Sequence, residues 1–189
     1  MGAIDPLPEW ARTPAGGWRA ADLDRLEDLP PHTELLDGRL YFRSPSTVFQ
    51  ELTRSQLDHG LRALAPQGWE VSSTSEEIRH GAARLTPDLT VTRRGGLNPS
   101  RVLLAIEVMP STWPAEVRRA TPADYAAAGV PHLWWVEREG TRAVVRCYEL
   151  DSATGRYGAE AVQYDEVRTT RPFPAAIDLT LTSSPNNGH

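Results

Sequence analysis

The sequence contains no lysine: all 20 of its basic side chains are arginines, against 25 acidic side chains in 189 residues. Mechanisms that need a lysine amine, such as a Schiff base or the lysine of a phosphate-binding P-loop, are therefore excluded. Arginine stays protonated at any relevant pH and cannot replace lysine as a base. The net charge of -5 argues against a broad basic surface that coats nucleic acid, but it leaves room for a local basic groove.

Cysteine and long apolar segments are also scarce. The single cysteine, Cys147, cannot form an intramolecular disulfide or a thiolate metal site, which is typical of a reducing compartment. The longest uncharged apolar run, Val102 to Ile106, is far shorter than the ~20 residues of a membrane helix. The first residues include Asp5, Glu9 and Arg12 and lack the apolar region of a signal peptide. We therefore expect a cytoplasmic protein without a membrane segment.

The length and the apolar content of 40% suit one domain with short tails. Residues 1–19 are rich in proline and glycine, which predicts an irregular N-terminal arm. Residues 182–189 are polar and predict a flexible tail. Residues 20–181 are expected to form a single domain.

Local patterns predict the elements of the first half of this domain. An Asp-Gly turn between short apolar runs predicts a β-hairpin over residues 34–42. An apolar stripe from Val48 to Leu64, preceded by Ser46 or Thr47 as a cap, predicts a long helix. Alternating residues 85–92 predict a strand with Asp88 on its polar face, after a polar loop that runs through Gly81.

Local patterns also predict the elements of the second half of this domain. Residues 101–109 are apolar on both faces, as in a central strand that is covered on both sides. Thr121-Pro122 is a start signal and Gly129 a stop signal for a compact helix. Further strands are expected over residues 132–137, 142–150 and 161–164. Strands and helices therefore alternate, which predicts an α/β or mixed α+β fold in which a mixed sheet is flanked by helices.

Glu107 is the most informative residue, because it is the one charge inside the apolar run 102–109. Burying a carboxylate costs several kcal/mol unless it is paired, protonated or bound to a metal, so we expect Glu107 to have such a partner or to be protonated. Asp88 is a candidate partner. If the two strands pair as an antiparallel hairpin, both carboxylates can share a hard cation such as Mg²⁺, which prefers oxygen ligands.

Four segments in order carry a family resemblance. They are Glu34-Leu35-Leu36-Asp37-Gly38 with a following Ser-Pro, Pro87-Asp88-Leu89-Thr90-Val91, Ile106-Glu107-Val108, and Tyr125-Ala126-Ala127-Ala128-Gly129-Val130-Pro131-His132-Leu133-Trp134. Together they resemble the bacterial putative restriction endonuclease family of the PD-(D/E)XK nuclease superfamily, over roughly residues 20 to 150.

The resemblance implies a restriction-endonuclease-like core with an N-terminal β-hairpin. It also implies an endonuclease that hydrolyses phosphodiester bonds of DNA with Mg²⁺, or Mn²⁺, as cofactor. Asp88 and Glu107 match the metal ligands of the family pattern, and Glu34 matches an upstream auxiliary carboxylate. DNA is the expected partner, no membrane partner is expected, and a homodimer is compatible with the sequence.

The chain departs from this pattern at the position of the superfamily's lysine, which here is Thr121. The simplest interpretation of Thr121 is a helix N-cap followed by Pro122. The functional alternative is that Arg118 or Arg119 supplies the missing positive charge; helical residues before Thr121 would place Arg118 one turn away on the same face. The departure leaves two hypotheses: a nuclease with weakened chemistry, or a catalytically inactive nuclease-fold module that binds nucleic acid or a protein.

The sequence does not decide the surroundings of three more side chains. Gln50 faces the site from the long helix or is solvated. Trp134 and Trp135 are neighbours in a strand and therefore point to opposite faces. One of them is expected in the core, and the other beneath a helix or at the surface.

Overall fold

The structure is a computed structural model, and it describes residues 9–30, 33–42, 46–73, 77–81, 83–93, 102–109, 113, 115–158 and 162–181. Within these ranges the side chains of residues 116, 117, 119 and 120 are not described. The predicted tail 182–189 lies outside the described residues. The α-helices of the described part are α1 (Ala20–Leu23), α2 (Val48–Leu64) and α3 (Ala115–Ala127), and a short 3-10 helix spans Glu9–Ala11.

Thirteen strands are present in the described ranges. In chain order they are β1 (Thr33–Leu36), β2 (Arg39–Phe42), β3 (Trp69–Ser72), β4 (Ile78–His80), β5 (Ala83–Leu85), β6 (Leu89–Arg93), β7 (Val102–Val108), β8 (His132–Glu139), β9 (Arg142–Asp151), β10 (Arg156–Tyr157), β11 (Val162–Tyr164), β12 (Glu166–Thr169) and β13 (Ala175–Asp178).

The central sheet has the strand order β10-β9-β8-β7-β6-β3, with β11 added beside β9. Strand β7 lies near its middle, antiparallel to β6 and parallel to β8. Parallel neighbours need a crossover connection, and α3 supplies it between β7 and β8. The mixed α+β architecture expected from the sequence is confirmed.

Each face of the central sheet is covered by a different set of elements. On one face, α2 and the β12–β13 ribbon pack through Leu57, Leu61 and Ile177 against Ile106 and Trp134 of the sheet. This covering explains why β7 is apolar on this side.

The opposite face is covered by α3 and by a second sheet of order β2-β1-β5-β4. Tyr125 of α3 and Leu36 of β1 belong to one apolar cluster with Ala105, Leu133 and Trp135 of the central sheet. We call this set the α3-side cluster. Because β7 is covered on both faces, the prediction of a doubly covered central strand is confirmed.

Several local predictions are confirmed. The hairpin forms with Asp37 and Gly38 at φ values of 47° and 72°, the left-handed pair that a tight two-residue turn requires. Helix α2 begins at Val48, and the hydroxyl of Thr47 accepts the N–H of Gln50 as an N-cap.

Other local predictions were wrong or incomplete. The predicted polar loop before Gly81 contains strand β4, and the strand predicted over residues 85–92 is interrupted, since β5 ends at Leu85 and β6 begins at Leu89. The polar face of β6 is also buried, because Thr90 and Thr92 lie beneath other elements and not at the surface. Short polar strands in a second sheet carry no distinctive period, and this explains why they escape sequence patterns.

The start of α3 was also predicted wrongly. The helix begins at Ala115, six residues before the expected cap, and Thr121 and Pro122 lie inside it. Proline removes one backbone hydrogen bond from a helix interior but does not always end the helix. None of the helices in the described ranges is long and apolar enough to cross a membrane.

Candidate active site

Strand β7 carries a carboxylate inside the core. Glu107 is 1% exposed, and it lies two residues from both Ala105 and Met109, which belong to the α3-side cluster. Because successive side chains of a strand point to opposite faces, the Glu107 carboxylate faces α3. The prediction that this glutamate is buried in a central strand is confirmed.

Helix α3 provides a hydrogen-bond donor for this carboxylate. The hydroxyl of Tyr125 donates to Oε1 of Glu107 over 2.5 Å, and Tyr125 is itself fully buried. A hydrogen bond to an ionised acceptor is shorter and stronger than one between neutral groups. Tyr125 therefore fixes the orientation of the Glu107 carboxylate.

Asp88 lies directly beside Glu107, just before β6. Its backbone N–H donates to the carbonyl of Ile106 over 3.0 Å, and its Oδ2 accepts the N–H of Val108 over 2.7 Å. Asp88 thus binds the residues on both sides of Glu107. The antiparallel pairing of the two strands, which the sequence argument required, is confirmed.

The N-terminal turns of α2 reach this place from the other side. Gln50 is buried, and its Nε2 donates to the carbonyl of Val108 over 3.1 Å. Nη1 of Arg54 lies 3.5 Å from Oδ1 of Asp88, and its Nη2 pairs with Glu51 at 2.6 Å. The Asp88 side chain is only 6% exposed, so a guanidinium beside it is partly shielded from solvent.

Arg54 was not among the predicted site residues. Residues four apart lie on the same face of a helix, so Arg54 shares a face with Gln50. That spacing is the signal that could have identified it. The burial of Gln50 was needed first, and the sequence leaves it open between the site and solvent.

Glu34 is 1% exposed on β1, in the predicted hairpin. Residues two apart on a strand share a face, and Leu36 packs in the α3-side cluster with Tyr125. Glu34 therefore lies on the face of β1 that is turned toward α3. The second sheet buries it, and single-sequence patterns did not reveal that sheet.

The N-cap interpretation of Thr121 is wrong, because Thr121 lies in the interior of α3 and is 1% exposed. It precedes Tyr125 by four residues, so both side chains lie on one face of the helix. This is the face that reaches Glu107. The position of the expected lysine is therefore a buried, uncharged position near the carboxylate.

The structure describes the side chain of only one of the two arginines that were proposed to replace the lysine. Arg118 is helical and one turn from Thr121, as predicted, but its Nη1 pairs with Oε1 of Glu137 on β8 at 3.1 Å. The side chain of Arg119 is outside the described residues. Of the described arginines, it is Arg54 that pairs with Asp88.

The candidate site thus offers carboxylate oxygens as metal ligands. Across the described ranges, no group of three or more histidine, cysteine, aspartate or glutamate side chains is arranged to hold a metal ion. Mg²⁺ does not require such a group, since one or two carboxylates hold it while it keeps several waters. Asp88 and Glu107 are a donor pair of that chemistry.

Comparisons with known proteins identify a family and a related fold. The family model described as "Uma2: Putative restriction endonuclease" matches residues 20–182. Among curated proteins, none matches the chain. The crystal structure of a putative nuclease belonging to DUF820 from Anabaena variabilis has the same fold, with a TM-score of 0.61 and 11% sequence identity over 82% of this chain and 89% of that chain.

Proposed function

Because the chain belongs to the Uma2 family of putative restriction endonucleases, we propose that it is a metal-dependent endonuclease that hydrolyses phosphodiester bonds of DNA. The fold is restriction-endonuclease-like. A DNA substrate, Mg²⁺ or Mn²⁺ as cofactor, a cytoplasmic location and a homodimer are predictions.

The observation that carries this proposal is that Asp88 hydrogen-bonds the backbone of both residues that flank Glu107. A carboxylate that is 1% exposed in a central strand is costly to keep. Asp88 brings a second carboxylate to the same stretch of β7, where it accepts the N–H of Val108, and like charges in one site repel. A divalent cation held by both residues would offset these costs by neutralising the two negative charges.

The residues fit Mg²⁺ by the chemistry of their donors. Asp88 and Glu107 would hold the ion, and Glu34, buried on β1, would serve as an auxiliary carboxylate. When bound, such an ion lowers the pKa of a coordinated water and stabilises charge on a phosphoryl oxygen.

The protein's own groups position these ligands. Tyr125 orients the Glu107 carboxylate through its hydroxyl proton, and Gln50 fixes the backbone carbonyl of Val108. Arg54 places a permanent positive charge beside Asp88. Because a guanidinium stays protonated, Arg54 would stabilise anionic oxygens and could not remove a proton from water.

Calorimetric titration of Mg²⁺ and Mn²⁺ tests the proposed ligands directly. We expect wild type to bind the ion and Asp88→Ala to weaken binding by at least about tenfold, because loss of one of two carboxylates removes a ligand and a charge. Asp58→Ala is a matched control, since Asp58 is an ion-paired aspartate on α2 that binds Arg62. Equal binding by wild type and Asp88→Ala, or no binding by either, would exclude this metal site.

Thr121 favours a second candidate, a nuclease fold that binds nucleic acid or a protein without cutting. A neutral, buried side chain occupies the place where the family pattern has lysine. Arg118, one turn away, is paired with Glu137. In this case the carboxylates would remain as structural features of the fold.

Restoring the cation separates the two candidates. For a weakened nuclease, we expect Thr121→Lys to increase Mg²⁺-dependent cleavage of duplex DNA by about tenfold or more, because an ammonium on the Tyr125 face of α3 would stabilise developing negative charge. Thr121→Met is the control, since it adds similar bulk without charge. If both variants cleave at the wild-type rate, the uncharged residue at this position does not limit the reaction.

A further inference from the structure

A second polar feature lies on the same face of the central sheet as Glu107. It is a cleft of about 490 Å³ lined by Ala115, Arg118, Pro122, Trp135, Glu137, Arg146 and Tyr148. We call it the arginine cleft. Its walls are α3 and β9, and Trp135 of β8 forms its floor.

The arginine cleft has an excess of positive charge. Nη1 of Arg118 lies 3.1 Å from one oxygen of Glu137, and Nη1 of Arg146 lies 2.6 Å from the other. Two guanidinium groups against one carboxylate leave a net charge of +1 among the lining residues. Glu137 therefore neutralises only half of the cationic charge.

Within the described residues, most N–H groups of these two arginines have no hydrogen-bond partner. A guanidinium has five N–H donors, and the described contacts of each arginine engage one nitrogen with Glu137. Nε of Arg118 is shielded from solvent and has no hydrogen-bond partner within the described residues. Ala115, the first residue of α3, also lines the cleft, and the N-terminal end of a helix favours anions.

The strand register places the cleft next to the candidate active site. Glu107 is in register with Trp135 on β8, and Trp135 is in register with Arg146 on β9. Residues in register across neighbouring strands point to the same face, so the three side chains form one row. Neighbouring strands lie ~4.8 Å apart, so the backbone of Arg146, two strands away, lies about 10 Å from the backbone of Glu107.

We propose that the arginine cleft binds a backbone phosphate of the nucleic acid, next to the phosphate whose hydrolysis is proposed at Asp88 and Glu107. The inference rests on the proposed nuclease function and adds a substrate contact to it. Planar guanidinium groups match phosphate oxygens and bind them through paired hydrogen bonds. An incoming phosphate would compete with Glu137 for the same donors.

Binding of a fluorescently labelled DNA duplex, measured by anisotropy in EDTA over a series of salt concentrations, tests this contact without cleavage. We expect the double variant Arg118→Gln/Arg146→Gln to bind about eightfold more weakly at ~0.1 M salt and to make the slope of log K against log salt less negative by about 0.9, the value for one phosphate contact. Arg142→Gln is the matched control, because it lies on the same strand and is ion-paired with Asp165.

Glu137→Gln gives a change of opposite sign. Removing this carboxylate frees both guanidinium groups, so we expect duplex binding to tighten by at least about threefold. If the three residues served only to hold α3 on the sheet, Glu137→Gln would break the network and would not improve binding. Thermal melting by circular dichroism identifies any variant that fails to fold.

The two proposals can fail separately. If wild type does not bind the duplex, or if the double variant and Glu137→Gln bind it as wild type does, the phosphate contact is excluded. Metal-dependent cleavage that needs Glu107 would then still support the nuclease. Arginine-dependent binding without metal binding or cleavage would instead support the contact and exclude the enzyme.

Discussion

Glu107→Gln is expected to reduce Mg²⁺-dependent cleavage of duplex DNA by on the order of 10³-fold or more. A bound metal contributes several kcal/mol of charge stabilisation in the transition state, and each ~1.4 kcal/mol is a factor of ten in rate. Glutamine keeps the size of the side chain, and its amide oxygen can still accept the hydrogen bond from the Tyr125 hydroxyl. The substitution therefore removes the charge and leaves the packing. Initial rates on a labelled duplex, with protein free of contaminating nuclease, measure the effect.

Stability separates a chemical role of Glu107 from a structural one. A buried neutral amide costs less to desolvate than a buried carboxylate, so the melting temperature of Glu107→Gln should equal or exceed that of wild type in the absence of metal. Glu166→Gln is the control, because that carboxylate lies on β12 and pairs with Arg168 at the surface. Wild-type cleavage by Glu107→Gln would exclude Glu107 as a metal ligand.

Local patterns were sufficient to predict the central part of this site. The apolar run around Glu107 identified a covered strand, since no charge is tolerated there without a reason. The hairpin and the start of α2 followed from an Asp-Gly turn and a threonine cap, which act within a few residues. These features depend on neighbours in the sequence, so a single sequence contains them.

Features that depend on distant segments were not predictable in the same way. Arg54 and Asp88 are 34 residues apart and meet only because α2 packs against the central sheet. Glu34 is buried only because a second sheet forms on the α3 side. Strand register is not readable from one sequence, so the pairing of Arg118 with Glu137 was equally hidden.

The start of α3 shows a different limit. Thr121-Pro122 is a strong local start signal, yet the preceding residues 115–120 are good helix formers and extend the helix toward its N-terminus. The earlier start moves Thr121 from an exposed cap to the buried face that carries Tyr125. A local error of six residues thus changed the interpretation of the residue on which the question of activity depends.

The largest effect on folding is expected at Trp134, one of the two adjacent tryptophans. Both are buried, and they pack on opposite faces of the sheet in different clusters. Trp134 is fully buried and lies in register between Ile106 of β7 and Cys147 of β9. Its ring therefore packs on the α2 face, away from Glu107.

We expect Trp134→Ala to lower the free energy of unfolding by about 3–5 kcal/mol, because it removes a large apolar side chain and leaves a cavity that the flanking strands cannot fill. Domains of this size are stable by only about 5–15 kcal/mol, so much of the margin would be lost. Urea unfolding measures the change, with Val162→Ala as the control because Val162 is 45% exposed on β11 of the same sheet. The control should change stability by less than about 0.5 kcal/mol. A similar loss in both variants would contradict the prediction that the burial of Trp134 on the α2 face determines its contribution to stability.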